Sequence, residues 1–136
     1  MLRDRISDYY LGKDYNCAET MLHAINDQYN LNIPAEMFKL VGGFGGGMGC
    51  GNACGALCAC ISALGRLTIQ ERAHATPEFK ETCANLVQRF QEKLGDTCCC
   101  TLVEKYKTEE TRCLATVLLT ADLFEDYLSE TGIQPV

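Results

Sequence analysis

Seven of the ten residues from 42 to 51 are glycine, in the run GGFGGGMGCG. Each glycine inside a helix costs about 1 kcal/mol relative to alanine, so no helix is expected to run through this segment. The run predicts a loop of unusual backbone angles between segments that otherwise carry the helical 3.6-residue rhythm.

Residues 2–11 read as a short helix closed by Gly12. Asn16 is placed to cap a second helix, with Glu19 completing a capping box, and Ala18, Met21, Leu22, Ile25 and Tyr29 repeat at helical spacing. Pro34 suits the first turn of a third helix, followed by Ala35, Phe38, Leu40 and Val41. Beyond the glycines a helix is expected from near Ala53 to about Leu64, with Gly65 ending it. It is apolar nearly all round (CGALCACISAL), as a buried central helix is.

Thr76-Pro77-Glu78 reads as a helix start, a capping threonine followed by proline in the first turn. Phe79, Cys83, Leu86, Val87, Phe90 and Leu94 form its core stripe and Gly95 its stop. Cys98-Cys99-Cys100 follows in a short turn ending at Leu102-Val103. Thr108 is expected to cap the last helix, with Glu109 and Glu110 in its first turn. Leu114, Val117, Leu118, Ala121, Phe124 and Leu128 then face inward, and Gly132 ends it. The expected fold is all-α: one domain over residues 1–136, a bundle of about five to six helices with a glycine-rich loop before a buried central helix.

Ten cysteines lie on this frame, at 17, 50, 54, 58, 60, 83, 98, 99, 100 and 113. The N-terminus carries charges at 3, 4 and 5 and has no apolar stretch of the signal-peptide kind. No run of about 18 apolar residues is present to span a membrane. The compartment expected is the cytoplasm, where thiols stay reduced, so these cysteines read as metal ligands or redox centres and not as structural bridges. Net charge is −6 with no lysine or arginine cluster, which argues against a nucleic-acid partner. Neither a placed carboxylate pair nor an activated serine points to a hydrolase.

Cys17, Cys54, Cys99 and Cys113 each fall in the opening turn of an expected helix or just before one. Free backbone N–H groups and the helix dipole favour a thiolate there, so their pKa values are expected to fall below the usual value of about 8.5. Glycine amides of the 42–51 run could donate to sulfur. Four thiolates are the complement of an iron-sulfur cluster or of a structural zinc. The local spacing chooses neither, because the chain has no C-x-x-C pair and no C-x-x-C-H. Cys58, Cys60 and Cys83 read as small core hydrophobes. Cys50 could be a fifth ligand, a resolving thiol or loop filler. His23 and His74 are expected to be exposed, and the glycine run lacks the GK[ST] ending of a phosphate-binding loop.

Asn16-Cys17-Ala18, the loop GGFGGGMG, Cys54-Gly55-Ala56, the stretch from Phe90 through Gly95 to Cys99-x-x-Leu102, and Cys113 together resemble the C-GCAxxG-C-C family of redox-active proteins. The resemblance spans nearly the whole chain, with Ala59 standing where the family's short motif closes on glycine. The third family cysteine is matched by Cys99 or by Cys98, of which Cys99 keeps the spacing to Gly95 and Leu102.

The resemblance implies a redox role and an iron-sulfur cluster, 2Fe–2S or 4Fe–4S, on Cys17, Cys54, Cys99 and Cys113. An electron donor or acceptor protein would be the partner, and a homodimer is left open. Two other readings stand beside it. One is a thiol–disulfide protein in which Cys54 attacks and Cys50 or one of residues 98–100 resolves. The other is a module for zinc or another soft metal.

Overall fold

The computed structural model describes residues 1–134. Among them the secondary structure is helical and there is no strand, as an all-α reading requires. Five α-helices carry the architecture: α1 (Cys17–Tyr29), α2 (Gly55–Thr68), α3 (Phe79–Leu94), α4 (Cys99–Tyr106) and α5 (Leu114–Thr131). No helix among the described residues is long and apolar enough to cross a membrane.

The central helix is α2. Ala56, Ala59 and Ala63 leave little side chain on one face, so α1 and α5 can approach it closely, while Leu57, Leu64 and Leu67 fill the gaps around them. All six are buried. Ala59 is among them with no exposed surface, so its methyl is accommodated where the family pattern has glycine. Phe90, Leu86 and Leu94 of α3 and Phe124, Val117 and Ala121 of α5 close the core, and Leu2 and Ile6 of the N-terminal turns complete it. Tyr127 of α5 donates its hydroxyl hydrogen to the carbonyl of Thr82 in α3 at 2.8 Å. Arg66 of α2 reaches the carbonyl of Leu31 at 2.7 Å.

The capping box forms as the sequence predicts. Asn16 accepts from the Glu19 N–H at 3.0 Å, and the Glu19 carboxylate accepts from the Asn16 N–H at 3.1 Å. Gly95 and Gly132 stop α3 and α5 in the left-handed conformation, with φ of 98° and 71°.

Several boundaries differ from expectation. The N-terminal segment is not one α-helix but a 3₁₀ turn (Leu2–Arg5) and a wider π turn (Asp8–Gly12) that includes Gly12. The third helix is a 3₁₀ stretch (Ala35–Phe44) with Pro34 as its cap residue, and it takes in the first two glycines of the run. Gly65 lies inside α2. An apolar stripe that continues to Leu67 outweighs the cost of one glycine. Thr76 does not cap α3. Its hydroxyl goes back to the Arg72 carbonyl at 2.9 Å, and the helix starts at Phe79 after a left-handed Glu78. The last helix starts at Leu114 and not at Thr108, because Thr108 and Arg112 close a tight turn through reciprocal backbone bonds of 3.0 and 2.8 Å. Finally, α4 extends beyond Val103 to Tyr106.

Candidate functional site

Four helix starts converge on one point. Cys17 is the first residue of α1 and Cys99 the first of α4, while Cys54 and Cys113 are the residues immediately before α2 and α5. All four line a single small, largely enclosed cavity together with Gly55, Leu102, Val103, Thr116 and Val117. The cysteines that the sequence singles out, 96 residues apart at the extremes, are thus brought together by the fold.

Glycine makes this convergence possible at two positions. A Cβ on Gly55 would stand 2.7 Å from Cys17 Sγ and 2.7 Å from the Phe44 carbonyl oxygen, so only glycine lets α2 start against α1. Gly47 has a φ of +65°, and a Cβ there would lie 2.6 Å from Cys99 Cβ and 2.6 Å from the backbone of Asn52. The loop is therefore a wedge packed under α4. Its register is fixed by Cys54 N–H donating to Thr97 O at 2.8 Å and Cys99 N–H to Asn52 O at 2.6 Å. On the far side, Cys113 N–H donates to the buried Tyr10 hydroxyl at 3.1 Å.

The electrostatics correct one expectation. Burial pushes Cys17 and Cys99 up, and Cys54 up to about 12. Helix-start amides oppose this, with Ala18 and Gly46 donating to Cys17, and Leu57 and Ala56 donating to Cys54. Desolvation still wins, because the thiolates would lie among apolar atoms and raise one another further by like-charge repulsion. Cys17, Cys54 and Cys99 stay protonated at neutral pH unless a cation takes the place of their protons. Burial and the raised pKa both disfavour Cys54 as the attacking thiol of the thiol–disulfide reading.

The donor chemistry fits a soft metal centre, and one further group supports it. Thr116 lines the same cavity, and its Oγ1 is buried with no hydrogen-bond partner among the described residues. The dimensions are narrower. The free space is about 20 Å³, close to that of one water-sized atom. Among the described residues no three His, Cys, Asp or Glu side chains stand close enough to hold a metal ion as they are placed. A single ion matches the space better than a cluster, which requires the four side chains to spread. Thr116 was missed by the sequence reading, although its place three residues after Cys113 puts it on the same helix face.

The remaining cysteines divide. Cys60 is buried in the core, and Cys58 and Cys83 are half-buried, Cys83 against the core, as small hydrophobes. Cys50 is exposed, with its thiol 3.7 Å from the Gly47 carbonyl. Cys98 and Cys100 are near the surface with their sulfurs 2.8 Å apart, and the Cys100 thiol holds the Cys98 thiol below its usual range. His74 is exposed as expected, but His23 is not. Its ring stacks on Phe38 at 3.8 Å and against Tyr15 and Tyr9 at 4.7 and 4.8 Å.

Residues 15–127 match the family described as "Putative redox-active protein (C_GCAxxG_C_C)", a span that contains all four cavity cysteines. Neither the curated proteins nor the solved structures contain a match to the chain.

Proposed function

The chain belongs to the C_GCAxxG_C_C family of redox-active proteins, and on that premise we propose that Cys17, Cys54, Cys99 and Cys113 hold an iron-sulfur cluster in a one-electron carrier. The observation that carries this reading is the convergence of four separate helix starts, each bearing one cysteine, on one enclosed cavity. Such a cluster would supply reversible one-electron transfer within the cavity. The chain's part is to bind, orient and exclude water. Four helix N-termini place partial positive charge around an anionic metal–thiolate group. Amides of Gly46, Ala18, Ala56 and Leu57 already point at sulfur, and hydrogen bonds of this kind raise the potential of a thiolate-bound centre. Leu102, Val103 and Val117 keep solvent out. An electron donor or acceptor protein in a reducing cytoplasm completes the proposal.

A second reading rests on the cavity's size. The free space is nearer to that of one ion than of a cluster, and a tetrahedral zinc, held by the same four thiolates once they draw together, would be redox-silent.

The experiment that separates them is anaerobic purification, with an ultraviolet–visible spectrum and quantified iron, sulfide and zinc on one sample. Brown protein that bleaches with dithionite, and that loses iron when any of the four cysteines becomes serine, is expected. Colourless protein with one zinc per chain, unchanged after cluster reconstitution, would replace the cluster with the zinc site. Colourless protein that binds neither metal would end both.

A further inference from the structure

Cys98 and Cys100 lie outside the cavity and have no part in the centre proposed above. Two residues two apart in a helix face away from each other, yet these sulfurs meet at 2.8 Å. The reason is local. Cys98 is the residue before α4 and has an extended backbone, φ −80° and ψ 126°, which swings its side chain back over the first turn. That backbone is held firmly. The Asp96 carboxylate accepts from the Thr97 and Cys98 N–H groups at 2.7 and 3.0 Å, and Ala53 bridges to Cys98 across the α2 start. The Cys98 thiol donates to the Gly51 carbonyl at 2.9 Å, which leaves the Cys100 thiol to donate to the Cys98 sulfur. Cys99, between them, turns inward to the cavity.

We propose that Cys98 and Cys100 are a second redox site, a surface dithiol that closes to a disulfide by exchange with low-molecular-weight disulfides. A disulfide bond is about 2.04 Å long, so closure needs the sulfurs to approach by roughly 0.8 Å. One thiolate of the pair attacks a sulfur of the small disulfide, forming a mixed disulfide and expelling one thiolate. The other cysteine of the pair then attacks the protein sulfur of that mixed disulfide, closing Cys98–Cys100 and expelling the second. Two electrons pass from the dithiol to the small disulfide, and the two protons released from the pair are taken up by the two leaving thiolates. Exposure matters here, because the small disulfide must reach the sulfur in line. Cys100 is exposed, whereas the cavity cysteines are enclosed.

The test equilibrates the full chain with buffers of reduced and oxidised glutathione, quenches with N-ethylmaleimide, and analyses the peptide from Leu94 to Lys105 by mass. Wild type and Cys99→Ser should lose the mass of two hydrogens from this peptide under oxidising buffer and regain it under reducing buffer. Cys98→Ser and Cys100→Ser should instead stop as the glutathione adduct. Closure in Cys98→Ser to the same extent as wild type would overturn the pairing, because Cys99 would then be the partner. A peptide that takes up N-ethylmaleimide on both outer thiols at every buffer ratio would overturn the site itself. Either result leaves the iron and zinc content of the cavity unaffected, so this proposal and the metal centre fail separately.

Discussion

Cys99 and its two neighbours place the same side chain in opposite surroundings within one helical turn. Cys99 enters an enclosed apolar cavity, where burial holds the thiol in its protonated form. Cys98 and Cys100 remain near the surface, where hydrogen bonding between the two sulfurs sets their behaviour. The difference teaches that a helix start does not by itself make a thiol reactive. The dipole acts at both places, but at a buried position desolvation outweighs it, and only a bound cation would reverse the balance.

The strongest way to break this arrangement is to disturb the wedge that separates the two environments. Gly47→Ala combines a left-handed residue, costing about 1–2 kcal/mol, with overpacking against Asn52 and Cys99, which costs about as much again. We expect metal-free Gly47→Ala to lose about 3 kcal/mol in urea unfolding. Gly49→Ala, also at positive φ but facing open space, should lose only about 1 kcal/mol. Equal losses would show that the loop is not packed under α4.

Alkaline titration sharpens the comparison next. Cys54 has its folded pKa raised to about 12, above the unfolded value near 9.0, so the folded state binds more protons between these limits. Its contribution to stability is complete below the unfolded pKa and is lost as pH rises towards 12. Cys17, Cys60 and Cys99 shift in the same direction. Metal-free protein should lose on the order of 1–2 kcal/mol from Cys54 alone between pH 8 and 10. Cys54→Ser should flatten that slope, and the Cys98→Ser, Cys100→Ser double variant should leave it in place. A stability that is level from pH 8 to 10 would contradict the burial account.

The helices and the four cavity cysteines were legible in the sequence for different reasons. Core stripes such as Leu86, Phe90 and Leu94 follow from periodicity alone. Asn16 and Glu19 announce their helix because a capping box is a purely local device. The cavity cysteines stood out through their helix-start positions and their likeness to a family pattern. What was not legible depends on tertiary contacts. Gly65 looks like a helix stop until Leu64 and Leu67 are seen buried around it, and Thr108 looks like a cap until Arg112 closes on it. The sign of the thiol pKa shifts was missed because sequence displays the helix start and not the depth of burial. The outer pair was missed because i, i+2 neighbours meet only when the first of them leaves helical geometry.

Thr116 gives a smaller effect of opposite sign. Its unpartnered buried hydroxyl costs about 1 kcal/mol or more in the metal-free chain. Thr116→Val keeps the shape and removes that group, so the metal-free protein should gain about 1 kcal/mol in urea unfolding. A loss instead would mean that the hydroxyl finds a partner within the chain.

The smallest effect comes from a base under the same physics. His23 is stacked between Phe38 and the rings of Tyr9 and Tyr15, and desolvation lowers its pKa, although Asp27 and Glu19 pull the other way. For a base, burial favours the proton-free form, so here the unfolded state binds more protons. The stabilising contribution is therefore present above the unfolded pKa of about 6.5 and is lost as pH falls through the folded value. A modest fall in the urea midpoint from pH 7.5 to 5.5, reduced in His23→Gln, is expected. With the thiols losing stability above pH 8 and His23 losing it below pH 6.5, desolvation of neutral groups would confine the metal-free fold to a maximum near neutrality. An unchanged slope in His23→Gln would remove His23 from the acid side of that maximum.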